Sequence, residues 1–401
     1  MPLSLLEHAG EVCGPLPKRI DAESTAGNRI ARPSRAGVGL DIRSRRQNVR
    51  VRRNASILAA IAALAVVTGI LHFANAEPVV VFAVAAAALG GLAWAISIAT
   101  EAVGERFGPA VTGALQSTLG NLPELFIVLF ALSAGELVVA RTSILGSLFA
   151  NGLLVLGLAI VAGSRAASDG TMRFRPRLPQ DTATLLLLAI GIIVLLGLSH
   201  QVGDRASGHE TAISVVGAIV LLAVYGLWVW NYLRSDTPAE EAHAEPARSA
   251  LPFGPALVVL AVAGVAAALV SDWFIDALDP AVEALGISKA FTGLVIVAIA
   301  GNAVENVVGV SLAAKGKSDL SISVVKNSVA QIAAFLFPAL VLLSLAFTTH
   351  LTFVLSPIFI GALVITALAM WQITGDGEAL LFEGAALVGL YVILATLMWF
   401  E

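Results

Sequence analysis

Apolar runs of membrane-spanning length dominate the chain from position 56 to its end. Eleven can be read, at 56–75, 78–99, 108–132, 137–162, 182–199, 211–232, 252–270, 288–313, 319–346, 350–371 and 379–399. A hydrocarbon core of about 30 Å takes roughly 20 such residues as a helix. Transmembrane strands would be about 10 residues long with alternating polarity, whereas these runs are longer and uniformly apolar. The pattern predicts an all-α polytopic membrane protein with eleven transmembrane helices.

Composition points the same way. Of 401 residues, 58% are hydrophobic and only 13% charged, against about 25% charged in a typical soluble protein. An ordinary water-soluble enzyme, a disordered chain and a secreted disulfide scaffold are excluded. The single cysteine, Cys13, can form no internal disulfide and gives no basis for a cysteine metal site. Residues 1–54 are different material: they hold 11 of the 24 Lys and Arg, including Arg43, Arg45, Arg46, Arg50, Arg52 and Arg53. They read as a disordered basic cytoplasmic tail. With the N-terminus inside, 20 basic residues fall on the cytoplasmic side and three, Arg141, Arg205 and Lys289, on the other. That is the bias expected of membrane loops, and it puts the C-terminus outside. Ala-rich spans and compact loops suit a bacterial inner membrane.

A repeat lies within the apolar background. Gly120-Asn121-Leu122-Pro123-Glu124 and Gly301-Asn302-Ala303-Val304-Glu305 share the pattern Gly-Asn-x-x-Glu at an offset of 181 residues. Ser147 and Ser328 each follow their glutamate by 23 residues, and Gly135 pairs with Gly316. An amide follows each serine, Asn151 four residues on and Gln331 three. The motifs fall on the third and eighth spans, an odd number apart, so the copies run oppositely through the bilayer. The expected architecture is one extra helix (55–76) and two inverted five-helix repeats (77–232 and 252–401), joined by an acidic cytoplasmic linker (233–251). Inverted repeats are common in secondary transporters, whose sites lie near the midplane where the repeats meet.

On a continuous helix, positions i, i+3 and i+4 share a face, so Gly120, Asn121 and Glu124 predict one polar stripe, as do Gly301, Asn302 and Glu305. Pro123 lacks an N–H and would free the carbonyl of Leu119; Val304 stands at the matching place, so the half-sites are not equivalent. A carboxylate within a span is costly and normally faces a cavity or a partner. It holds a proton unless a cation takes its place. Two such acids could hold one dication or up to two protons but hardly both, which is the physical basis of exchange. The alternative is that both glutamates are capped by interhelical hydrogen bonds and fix packing. Ca²⁺ prefers six to eight hard oxygens, which Glu124, Glu305, Asn121, Asn302, Ser147, Ser328, freed carbonyls and water could supply. All six histidines lie in the tail, loops or span ends, which disfavours a dedicated Zn²⁺ or Cu site.

These residues resemble the calcium/proton exchangers of the cation/calcium exchanger superfamily. Ala99-Thr100-Glu101 through Gly108-Pro109 and on to Leu119–Leu125 is similar to that family's first repeat. Ser288-Lys289-Ala290-Phe291 through Glu305, and on through Ser328 and Gln331 to Pro338, is similar to the second; Glu383-Gly384 with Tyr391 resembles its final helix. The resemblance implies an eleven-helix exchanger, a site built by helices 3, 4, 8 and 9, and Glu124 and Glu305 as alternately protonated cation ligands. Helices 2 and 7 would be the sliding gates. Three positions depart from the family: Asn306 where His is usual, Asn327 where Gly is usual, and Lys326 where an apolar residue is usual. Two residues along a helix is about 200°, so Lys326 should point away from Ser328. It could reach toward the cytoplasm or pair with an acid on another helix.

The expected function is Ca²⁺/H⁺ antiport by alternating access, with Ca²⁺ as transported substrate and no cofactor, nucleotide or nucleic acid. The site would comprise Glu124 and Glu305 as metal ligands with Gly120, Asn121, Ser147, Asn151, Gly301, Asn302, Ser328 and Gln331; Pro123, Asn306 and Lys326 would modulate it. Exchange of Na⁺, K⁺ or Mn²⁺ for protons is the rival within transport. A channel would conduct without counter-transport, and an intramembrane enzyme would need a nucleophile–base or metal constellation that is not evident.

Overall fold

The computed structural model describes residues 35–104, 106–107, 119–175, 177–234 and 251–401. The chain divides into two units, residues 1–48 and 49–401. Helical backbone begins at Arg35 with α1 (Arg35–Phe73). The described part of the expected tail, positions 35–54, has helical backbone. Their run contains no proline, and its many Arg residues, with Ala36, Leu40 and Gln47, are good helix formers. Residues 1–34, and 235–250 of the expected linker, lie outside the described residues.

The helices of the second unit follow the apolar pattern. They are α2 (Pro78–Gly104), α3 (Leu122–Ser133), α4 (Leu137–Ala166), α5 (Arg177–Val202), α6 (Glu210–Arg234) and α7 (Phe253–Leu285). After them come α8 (Lys289–Gly301), α9 (Ala303–Ala314), α10 (Ser318–Ala346), α11 (Pro357–Thr374) and α12 (Leu381–Trp399). Among the described residues nine helices are long and apolar enough to cross a bilayer, or ten when α8 and α9 count as one span bent by 62°. Of the expected span 108–132, positions 108–118 are outside the described residues, and α3 is its described remainder. The described helices thus account for ten spans and a short apolar helix, not for a complete eleven.

Two boundaries differ most from expectation. The helix expected to end at 270 continues to Leu285 through Pro280. Proline removes one hydrogen bond there, and Gly286, with φ +63°, stops the helix fifteen residues later than expected. The span expected from 350 starts at Pro357. The preceding chain is extended but buried, with the Leu351 and Phe353 N–H groups donating to Ser344 Oγ (2.9 Å) and Ser214 Oγ (3.1 Å). Irregular backbone at membrane depth survives only when satisfied by protein in this way. The loops also add a small antiparallel ribbon to the helical fold, β1 (Thr171–Arg173) with β2 (Glu378–Leu380), in register Thr171↔Leu380 and Arg173↔Glu378. Arg173 joins Asp169 at 2.5 Å and Glu378 at 3.2 Å across it.

The sequence repeat is matched by local structure at three places. Both Gly-Asn-x-x-Glu motifs interrupt a helix at the asparagine, Asn121 with φ −90° and ψ 12°, Asn302 with φ −98° and ψ 22°. The helices that follow, α3 and α9, both end on left-handed glycines, Gly135 (φ +82°) and Gly316 (φ +71°). Each glycine closes a doubly bonded cap: Gly135 N–H to Leu132 O at 3.1 Å with Glu136 N–H to Ala131 O at 2.7 Å, and Gly316 N–H to Ala313 O at 2.9 Å with Lys317 N–H to Leu312 O at 3.0 Å. Both α4 and α10 then carry a π-helical turn, Ala150–Val155 and Ile332–Leu336.

Packing between helices relies on absent side chains. A Cβ on Gly146 of α4 would stand 2.4 Å from the Leu294 carbonyl oxygen of α8, and one on Gly293 would stand 2.0 Å from Thr142 Oγ1. Gly157 of α4 and Gly384 of α12 meet in the same way, each Cβ 2.6 Å from the other's carbonyl oxygen. Without a hydrophobic drive between helices in lipid, such close backbone approach is what associates them. Gly146→Ala is expected to destabilise the protein by about 1–3 kcal/mol, since Leu294 presents rigid backbone. Gly191→Ala, where a Cβ meets nothing within 4 Å, should gain about 0.5–1 kcal/mol. Thermal unfolding in detergent separates the two by the sign of the shift.

Candidate functional site

The helix break at each asparagine places the site. Asn121 and Asn302 are caps and not members of a continuous helix, so the single polar stripe expected from i, i+3, i+4 spacing does not form. In the first copy Pro123 enters α3 in its first turn, where a missing N–H costs nothing. In the second copy the Asn302 side chain itself binds the preceding carbonyl, Nδ2 donating to Ala298 O at 2.9 Å. That local bond competes with helix continuation and explains why the break persists without a proline.

The interruption turns Asn302 toward the other half. Its Nδ2 also donates to Glu124 Oε1 at 2.5 Å and to Ser147 Oγ at 2.8 Å, so two hydrogens serve three acceptors. Ser147 Oγ donates to the same Glu124 oxygen. Asn151 completes the chain, Nδ2 donating to Asn302 Oδ1 at 2.8 Å and to Ser328 Oγ at 3.1 Å. Gly301 lies against Glu124: a Cβ there would be 2.7 Å from Cγ and 3.0 Å from Oε1 of the acid. Glu124, Ser147, Asn151, Gly301, Asn302 and Ser328 are therefore one buried cluster drawn from α3, α4, α8, α10 and the breaks between helices.

The other expected residues stand around it unequally. Glu305 is half-buried on α9, within electrostatic reach of Glu124, and among the described residues no other side chain donates a hydrogen bond to it. Gly120, Asn121 and Pro123 are buried at the start of α3. Gln331 is half-buried at the π turn of α10 and makes no hydrogen bond to the cluster. The two amides differ by one place in the repeat register, and only Asn151 is aimed inward. Asn306 Oδ1 is buried without a partner, while Asn327 is half-buried and donates to Ser323 Oγ at 3.4 Å. Lys326 is buried and points away from Ser328, as helical spacing requires. It neither reaches water nor meets an acid among the described residues; its Nζ donates to Thr374 Oγ1 on α11.

Two acceptor oxygens in the cluster, Glu124 Oε2 and Asn151 Oδ1, are buried without any donor. Buried acceptors without partners are rare and costly, and one of these two belongs to the carboxylate itself. Sequence inspection did not reveal the Ala298 carbonyl as part of the arrangement, because its role follows from the break at Asn302. Nor did it reveal the triad in which Lys289 Nζ joins Glu136 Oε2 at 2.8 Å and Asp279 Oδ1 at 2.7 Å.

A carboxylate and orphan oxygens deep in a bundle of apolar helices, at a place where two motif copies meet, define an ion-handling membrane transport protein. The chain belongs to the sodium/calcium exchanger protein family, whose profile matches residues 77–233 and 255–400. It is 32% identical over 346 residues to the Ca²⁺/H⁺ antiporter ChaA of Bacillus subtilis, covering 84% of this chain and 96% of that one. It is 29% identical over 348 residues to a Ca²⁺/H⁺ antiporter of Aphanothece halophytica, covering 82% and 92%. The solved structure of native YfkE superposes with a TM-score of 0.72 at 29% identity, covering 86% of this chain and 99% of that one. The H⁺/Ca²⁺ exchanger CAX, at 15% identity and a TM-score of 0.63 over 86% and 89%, shares the fold.

Gly301→Ala tests the cluster without deleting a polar group. The obstructed atoms belong to the flexible Glu124 side chain, so the protein is expected to fold while the carboxylate is displaced. Loss of one such hydrogen bond corresponds to roughly tenfold weaker cation binding, measurable by isothermal calorimetry beside an unaltered unfolding temperature.

Proposed function

We propose that this protein is a secondary antiporter that exchanges Ca²⁺ for H⁺ by alternating access, using Glu124 and Glu305 as the shared cation and proton ligands. The observation that carries this reading is the buried Glu124 cluster, with Oε2 and Asn151 Oδ1 unpartnered and Glu305 near by. A buried carboxylate is tolerated when a proton or a cation neutralises it. A dication needs both acids ionised, and protonation of both expels it. Hydroxyl, amide and carbonyl oxygens from Ser147, Ser328, Asn151, Asn302 and Asn121 add neutral ligands suited to the flexible coordination of Ca²⁺. The names of the relatives support the same pair of ions.

In this reading the two matched stretches are inverted five-helix halves, 77–232 and 252–401, preceded by one extra helix and joined by a cytoplasmic linker. The protein lies in a bacterial inner membrane with its N-terminus in the cytoplasm and its C-terminus outside. The basic-residue bias supports that orientation. Helices α2 and α7 slide as gates past the fixed acids, so that the cluster opens first to one side and then to the other.

In proteoliposomes with an imposed pH gradient, Glu124→Gln or Glu305→Gln is expected to abolish Ca²⁺ uptake while reconstitution remains normal; full proton-coupled uptake by either variant defeats the mechanism. Parallel assays with Na⁺, K⁺ and Mn²⁺ determine ion choice, and flux that persists without a proton gradient would indicate a channel. Competition also fixes a sign for pH. Ligand carboxylates must be deprotonated to bind metal, so apparent Ca²⁺ affinity should fall as pH falls. The expected slope is roughly tenfold per pH unit for each proton displaced, read from Ca²⁺ titrations at several pH values.

A further inference from the structure

Lys326 is a cation that the exchange site does not use. It is 4% exposed, and among the described residues no carboxylate lies within ion-pair distance of it. Of its three N–H donors one goes to Thr374 Oγ1, and that hydroxyl gives its own hydrogen to Met370 O at 2.5 Å. Among the described residues the ammonium therefore has donors left over, at a place where lysine is ordinarily paired or reaches the interface.

The amine lines a recess of about 480 Å³ between α5, α10 and α11, a volume within the range of small-molecule sites. The recess is graded along its length. Lys326, Thr184 and Thr374 stand at one end, where α5 begins and α11 finishes; Leu187, Ile190 and Val364 make the other end apolar. From Thr374 back to Val364 on α11 is roughly 15 Å by helical rise. Leu187, Leu368 and Trp371 on its rim are largely exposed on the outside of the bundle, so the recess opens sideways, toward the hydrocarbon.

We infer that this recess is a binding site for a long-chain fatty acid, its carboxylate held by Lys326 and Thr374 and its tail lying along α5 and α11. One buried ammonium with donors to spare matches one carboxylate with two acceptor oxygens, and charge-assisted hydrogen bonds of this kind are the strong ones. Among the described residues Lys326 is the one charged residue lining the recess of about 480 Å³, which suits one acyl chain better than a two-chain phospholipid. The site is separate from the Glu124 cluster, because Lys326 and Ser328 leave α10 on opposite sides, and the inference does not depend on which cation is carried.

Trp371 makes the site observable. The purified full-length protein in detergent is titrated with dibrominated stearic acid, whose bromines quench nearby indole fluorescence. Saturable quenching is expected. It should disappear in Trp371→Phe, which keeps the other five of the six tryptophans as background. Lys326→Met should weaken binding at least tenfold and Lys326→Arg should restore it, while the methyl ester of the same acid should show no saturable component. Ala367→Phe, which fills the recess without touching the lysine, should also block quenching and covers the case in which Lys326→Met does not fold. Equal quenching by acid and ester, or by wild type and Lys326→Met, overturns the inference. So does tighter saturation by brominated phosphatidylglycerol, which would make the occupant a phospholipid.

Discussion

The structure depends on one constraint: the Glu124 carboxylate must be neutralised in a place water does not reach. Isolated in hydrocarbon it would cost several kcal/mol. The protein answers with donors from both motif copies, Ser147 from α4 and Asn302 from the break between α8 and α9. Those bonds require Gly301 to lie against the acid, which in turn requires α8 to approach α4 along Gly146 and Gly293. Helix packing and site chemistry are thus one requirement. Relaxing the glycine contacts would withdraw Asn302 from the carboxylate, and removing the carboxylate would leave Asn302 and Ser147 without their shared acceptor.

Asn302 is the residue through which the halves sense one another. Its amide divides two hydrogens among Ala298 O, Ser147 Oγ and Glu124 Oε1, and its carbonyl takes the Asn151 amide. In the proposed exchange a cation entering beside Glu124 would draw on the same oxygens, and a proton on Glu124 would convert an acceptor into a donor. Either event rearranges bonds that cross from one motif copy to the other. Site occupancy and the relative placement of α4 and α8 are therefore coupled through direct contacts, with no longer path needed.

Much of this was legible in the residues, and the parts that were not have physical causes. Hydropathy located the helices because span length is set by the bilayer. The Gly-Asn-x-x-Glu repeat located the acids, because an intramembrane carboxylate has few bland uses. The paired Gly135 and Gly316 stand where a left-handed cap needs them in both copies. Periodicity failed at the motifs themselves, since a face calculation assumes a continuous helix and the asparagine side chain ends it. Hydropathy ended α7 too early, at 270, where the apolar run meets Ser271 and Asp272. A helix continues past the hydrocarbon when its backbone stays bonded, here to Leu285 and through Pro280. Residues 35–54 read as tail because charge resembles disorder in composition, though the same residues form helix readily. For Lys326 direction was legible and partner was not: spacing says which way a side chain leaves its helix, but Thr374 lies 48 residues away.

The departures from symmetry between the copies carry a mechanistic sense of their own. Two inverted halves in identical conformations would be related by an axis in the membrane plane, and a site on that axis would be equally open or closed to both sides. A carrier that faces one side at a time must therefore hold its halves in different conformations. Residue differences set which half takes which. Gly146 admits the Leu294 backbone to α4, whereas the matching position on α10 is Asn327, whose side chain denies such an approach and bonds to Ser323 instead. Asn151 reaches across to Asn302 and Ser328, whereas Gln331 does not join the cluster. Pro123 enters the helix after the first break, and Val304 stands in its place after the second. Among the described residues Glu124 is consequently held by side-chain hydrogen bonds while Glu305 is not, so the two acids that the repeat makes equivalent in sequence are inequivalent in this structure.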